Sequence, residues 1–343
     1  MMNRRMLERI SPLWLGFGIS GVLLVILLVT ETVLGRWGEV VVAGEFDAFA
    51  PVTEGVLRDI RLAIVHCLQI GYLPAAFLYV FQNSRRTVLV LQEQLDCTRE
   101  ECEKLANSVK LTTGGLVTFG AVGFVLSFAS PYLVPPAPLT PWNPLTWSPE
   151  VAWHRVLGPL SQILTWWLGY SIIIVSVRMS KIAVELSRID LYNLSPLSPF
   201  TQLGLTNALL MIGSLSIWSL MSIEAGFGQI MLGIGIATMI STALAMLLPV
   251  RGVHKRIHQS KEAELSWVNG EISKQRDTLQ TMGVGQQSGR MADLIAYRGL
   301  VENVSEWPFT TSTYTRIFLY ALLPIVSWGV GIVAEEIVGR AFF

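Results

Sequence analysis

The chain has 343 residues and no net formal charge at pH 7, with 52% hydrophobic and only 15% charged residues. A soluble domain carries about 25% charged residues, so the composition argues against a water-soluble chain. Zero net charge leaves no global field to select nucleic acid. Three cysteines, Cys67, Cys97 and Cys102, are too few and too poorly spaced for a disulfide framework.

The mean hydropathy is +0.51, and apolar runs of about 18 or more residues with almost no charge recur along the chain, the mark of membrane-spanning helices. The runs do not alternate, as the strands of a β-barrel would. The expected fold is all-α: a polytopic transmembrane helical bundle of about seven spans with cytosolic helical hairpins. The basic start, Met1–Ser11, leads into a run too long for a signal-peptide core, with no small-x-small cleavage site close behind, so it reads as a retained first span.

Span one is expected at Trp14–Val33, with Gly16, Gly18, Ser20 and Gly21 allowing a neighbouring backbone close. Span two, Ile60–Phe81, should bend at Pro74 and carries His66 and Gln69 among apolar neighbours. Ser84–Lys110 is a polar excursion. Thr98-Arg99-Glu100-Glu101 fits a capping box, so a break near Asp96–Thr98 and a short helical hairpin are expected there. The alternative is one helix lying flat on the membrane. Span three is Leu111–Leu133, and span four Val156–Val177 should run on as helix to Ile189. The proline-rich run Leu194–Phe200 breaks it.

Spans five and six, Leu203–Ile223 and Gln229–Pro249, are joined so briefly that they must form an antiparallel hairpin. In span six Gly233, Ala237, Ser241 and Ala245 form a small-xxx-small ladder, which predicts one tightly packed face. Span seven is Ile317–Ala334. With the N-terminus inside, about 20 basic residues fall on the inner side and about 5 on the outer, as the positive-inside rule requires.

The longest polar stretch, residues 250–314, reads as a cytosolic helical hairpin. Val253–Thr281 is the outgoing helix and Met291–Glu306 the return, with Leu265, Val268 and Ile272 facing Leu294, Tyr297 and Val301 at coiled-coil spacing. The unequal arms leave the base of the outgoing helix free, and the smaller hairpin is its natural partner. Together they would make a cytosolic bundle.

The candidate sites are few. His66, Gln69 and Arg61 form an intramembrane polar candidate, because polar groups at membrane depth are costly and are functional-site hypotheses by default. A histidine hydrogen-bonded to a neighbouring helix is the plainer reading. Glu31, Glu224 and Glu335, with Arg58 and Glu336, would form an outer charged rim, against which stands ordinary interfacial snorkelling. Arg251, Lys255 and Arg256 lie directly below span six and suit anionic headgroups. His254 and His258 are four apart on one helix face, but no third metal ligand is evident and the basic neighbours repel a cation. Cys97 and Cys102 read as packed positions of the small hairpin. Gly283-x-Gly285-x-x-x-Gly289 lacks the strand and the Lys-Ser end of a phosphate loop. No metal, cofactor or catalytic constellation is expected.

Three passages carry a resemblance: Ile189-Asp190-Leu191 through Ser198-Pro199-Phe200, then Leu248 to His254, then Glu306-Trp307-Pro308-Phe309. They resemble a family of bacterial polytopic membrane proteins with no assigned activity, over roughly the C-terminal half. The resemblance implies a bacterial inner membrane and lends no catalytic residues. The function expected is a non-enzymatic membrane scaffold or signal relay acting through the cytosolic bundle, by a protein partner or self-association. The alternative is an ion or small-solute pathway near His66.

Overall fold

The computed structural model describes residues 10–33, 51–95, 97–133, 149–185, 189–220, 229–282, 288–309 and 311–327, with 329, 330, 333 and 337. Nine α-helices and one 3₁₀ turn, Ser195–Leu197, account for their regular structure. In chain order α1 is Pro12–Val33, α2 Pro51–Val90, α3 Arg99–Ala106, α4 Thr113–Leu133, α5 Pro149–Val184, α6 Ser198–Ser219, α7 Gln229–Met282, α8 Ser288–Glu302 and α9 Thr311–Ala321. No strand occurs among the described residues.

Four stretches are helical, long and apolar enough to cross a membrane: Pro12–Thr30, Leu62–Val90, Arg155–Val184 and Ser195–Ser219. Thr113–Phe128 and Thr315–Ser327 are shorter apolar helical runs. Their surface is inverted relative to a soluble fold. Trp14, Phe17, Val22 and Val125 are exposed, whereas His66, Gln69, Ser171 and Asn207 are buried. Such an apolar exterior is compatible with a bilayer and would aggregate in water.

α2, α5 and α7 are longer than the spans expected from hydropathy. α2 runs for 40 residues through Pro74 and past Ser84-Arg85-Arg86 to Val90. No breaker lies between Pro74 and Leu91, so the first arm of the small hairpin is the continuation of α2. A turn at Leu91–Leu95 and an eight-residue α3 complete that hairpin. The capping box forms as its sequence predicts. Glu101 N donates to Thr98 Oγ1 at 3.4 Å, and Thr98 N donates to Glu101 Oε2 at 2.9 Å. Cys97 and Cys102 face each other across the start of α3, and Cys102 is fully buried, as expected of a packed position. The bend before the N-cap brings their Cα atoms to 5.9 Å, inside the range a disulfide spans.

α7 is one 54-residue helix that carries the apolar segment after α6 straight into the polar hairpin. Two glycine contacts fix its place. A Cβ on Gly204 of α6 would lie 2.7 Å from the Met246 carbonyl oxygen, and one on Gly252 of α7 would overlap the Ser180 carbonyl of α5. The small-residue ladder of span six is only partly used: Ala245 is buried but Ala237 is exposed. The close approach to α6 comes instead from Gly204, on the partner helix.

α8 returns antiparallel along α7, with Val268 and Val301 fully buried. It ends at Glu302, and residues 303–309 form an irregular segment leading to α9. Among the described residues the two hairpins share one core rather than an extended helix pair. α3 packs on α2, and Arg178 Nε of α5 donates to Ser108 Oγ beyond it at 2.8 Å. The base of α7 packs on α5 at Gly252. The hairpins meet through the end of α5, in one core that contains Val88, Met179, Phe200, Val253 and Ile257.

Candidate functional site

The apolar zone holds a buried polar seam. His66 is fully buried, and its Nδ1 donates to the Leu62 carbonyl one turn back at 2.7 Å. Gln69, three residues on, donates from Nε2 to Ser214 Oγ of α6 at 2.8 Å. Tyr72 continues the face and donates its hydroxyl to the Leu210 carbonyl at 2.8 Å. Lower in the bundle Asn207 Nδ2 donates to Ser176 Oγ at 3.4 Å. Gln69 Oε1 and Asn207 Oδ1 have no hydrogen-bond partner among the described residues.

Gln69 thus does what a buried amide must, finding a partner on a neighbouring helix. Its serine lies 145 residues away. Arg61, the third member expected here, has its backbone in α2 and its side chain outside the described residues. So have Glu31 in α1 and Arg58 in α2, while Glu224, Glu335 and Glu336 lie wholly outside the described residues. The outer charged rim therefore stands as an expectation.

A denser constellation forms where α7 leaves the apolar zone. Arg251 and Lys255 are exposed on its outer face, and Arg256 is half-buried. The adjoining face, with His254, His258 and Lys261, meets residues 304–309. His254 stacks on Trp307 with ring centroids 4.2 Å apart and planes 8° from parallel. Its Nδ1 donates to the Glu306 carbonyl at 3.1 Å. Trp307 in turn stacks on Phe309 at 5.6 Å.

One turn further along α7, His258 lies between two carboxylates. Its Nδ1 is 3.1 Å from Glu306 Oε2, and its Nε2 is 3.2 Å from Glu262 Oε1. Lys261 Nζ is 3.6 Å from the other Glu306 oxygen and donates to the Val304 carbonyl at 3.0 Å. Burial works to raise the Glu306 carboxyl, but His258 and Lys261 outweigh it and hold it below the usual carboxylate range. Above this, Tyr297 of α8 donates to Glu264 Oε1 at 2.7 Å, and Trp267 meets its ring edge-on.

The local sequence explains the segment. The return helix, expected to reach Glu306 and end at Pro308, instead stops as α8 at Glu302, six residues before the proline, so Pro308 is not what ends it. Ser305 Oγ donates to the Trp307 carbonyl at 2.9 Å and tightens the turn. Thr201, in the first turn of α6, donates to the Pro308 carbonyl at 3.1 Å. Among the described residues no group of three His, Cys, Asp or Glu side chains could hold a metal.

No protein-family model, curated protein or solved structure matches this chain. Residues 189–200, 248–254 and 306–309, distant in the chain, meet at this junction. Phe200 shares a core with Val250 and Val253, Phe309 packs against that core, and His254 stacks on Trp307. Sequence reading found His254 and His258 but not Glu306, which the chain supplies 52 residues after His254. The one available signal was the pair of acidic and aromatic residues directly before Pro308.

Proposed function

We propose that this is a multi-pass protein of a bacterial inner membrane, with seven spans, a cytoplasmic N-terminus and both polar hairpins in the cytosol. It acts as a non-enzymatic scaffold or signal relay through the α7–α8 hairpin. The carrying observation is that α7 continues unbroken from apolar segment to hairpin, with the base of the hairpin clamped at residues 304–309. A continuous helix of that kind carries a change in the bundle to the polar end. Exposed Trp267, Ile295 and Leu300 give the hairpin an apolar surface for a protein partner or a second copy. Arg251 and Lys255 meet anionic headgroups at its base, worth about 1 kcal/mol per charge near the surface.

A second reading, an ion or small-solute pathway beside His66, draws on the buried seam and its two unpartnered amide oxygens. The two readings predict different experiments. A photo-crosslinking amino acid at Trp267 in living cells should give discrete protein adducts. The adducts should vanish when residues 262–305 are replaced by a short linker, and liposomes should carry no flux. Absence of adducts, with flux that His66→Ala abolishes, would overturn the scaffold reading in favour of the pathway.

A further inference from the structure

We propose that His258 is a proton-binding site whose occupancy closes the clamp between α7 and residues 304–309, so that acidification fastens the base of the hairpin to the bundle. The consequence for signalling rests on the scaffold reading; the proton site itself does not.

The geometry requires two ring protons. Both imidazole nitrogens face carboxylate oxygens, Glu306 at 3.1 Å and Glu262 at 3.2 Å. An ionised carboxylate only accepts, and a neutral imidazole has a single N–H to give. With one proton, one of the two contacts sets a ring lone pair against an oxygen. With two, both become charge-assisted hydrogen bonds. Glu262 is on the same helix, four residues on, so it orients the ring. Glu306 belongs to the other side of the junction, so it is the contact that ties the two together.

The surrounding charges fit a modulated clamp rather than a single tether. Lys261 holds Glu306 and the Val304 carbonyl in either state of the ring. His254, with its centroid 6.3 Å from that of His258, is engaged by the Glu306 carbonyl and the Trp307 face. Arg251 and Lys255, exposed on the same helix, oppose protonation. α5, packed against α7 at Gly252, brings Lys181 and Glu185, both exposed. On α8 Arg298 and Glu302 pair with each other at 2.9 Å. Arg316 of α9 is exposed. His258 itself is 46% exposed, so protons reach it from water.

The sign follows from the proton count. The bridging contact is fully present while the imidazole is doubly protonated and is lost over the pH window in which the second ring proton leaves. The Glu306 carboxyl, held low, stays charged throughout that window.

The full-length protein in zwitterionic nanodiscs provides the test. Exchange at the imidazole C2 position reads the protonation of His258. Amide exchange over residues 302–309, corrected for intrinsic chemistry, reads the clamp. Exchange should be about threefold slower at about pH 5.5 than at about pH 8, the size of effect a half-exposed ion pair gives. His258→Gln should remove that difference, and Glu306→Gln should do the same with His258 left in place. His254→Gln should keep it. Equal protection at both pH values, or a pH response that survives His258→Gln, overturns the proposal. Crosslinking at Trp267 is read separately, so a failed proton site and a failed scaffold reading give different results.

Discussion

Glu306 is the residue on which most of the junction converges. Its carboxylate meets His258 and Lys261, its backbone carbonyl meets His254, and the next residue stacks on that histidine. A carboxyl held below its unfolded value contributes stability that is present above about pH 4.3 and is lost as pH falls through the lowered folded value. Thermal unfolding in nanodiscs should therefore show an acid-side loss of stability that is flatter in Glu306→Gln. Trp307→Ala removes two ring contacts, each worth about 0.5–1.5 kcal/mol beyond area. It should lower the melting temperature and free residues 304–309 to exchange, and an unchanged exchange rate would remove Trp307 from the junction. Gln69 is a quieter case. Its amide had to find a partner wherever it was buried, but which hydroxyl it would meet was not written in its neighbourhood.

Elements with local causes were legible from the sequence, and elements with distant causes were not. Thr98 and Glu101 form their cap within four residues, whereas Pro196 and Pro199 do not end α5, which stops at Val184 short of the expected Ile189, but open the 3₁₀ turn and α6, where a missing N–H costs nothing. Thr98→Ala should accordingly cost about 1 kcal/mol and show as faster amide exchange in α3. The helix ends of α2 and α5 were harder, because hydropathy marks where a helix leaves the apolar zone and not where it stops. Span two was drawn to end at Phe81, yet α2 runs on to Val90 since nothing after Pro74 breaks it. The packing of α7 was hidden for another reason. Glycine at 252 and glycine at 270 look alike in the sequence, but a Cβ at 252 would overlap the Ser180 carbonyl while one at 270 meets nothing within 4 Å. Gly252→Ala should destabilise by about 1–3 kcal/mol through overpacking. Gly270→Ala should be neutral or stabilising by up to about 1 kcal/mol. Melting temperatures of the two variants, measured side by side, would decide whether α7 is seated as described.

For the whole molecule, the apolar exterior and buried polar seam follow from composition, and the number of spans is the open quantity with a direct test. Seven spans put the two termini on opposite sides. A fluorescent reporter that matures only in the cytosol should therefore light up at the N-terminus and stay dark at the C-terminus; fluorescence at both ends would require an even count. The junction assembles only in three dimensions, because His254 and Glu306 are 52 residues apart. The continuity of α7 has a mechanical meaning as well. Its 54 residues include Pro249, where the backbone loses a hydrogen bond to the preceding turn. If that point serves as a fulcrum, the arm beyond it is about 50 Å long, and a tilt of about 10° swings its tip by about 9 Å. The same tilt shifts His258, about 13 Å from the pivot, by only about 2 Å, yet that is enough to part a hydrogen bond. A lock so near the fulcrum moves little and restrains a large sweep, so a single proton there governs the excursion of the entire lever.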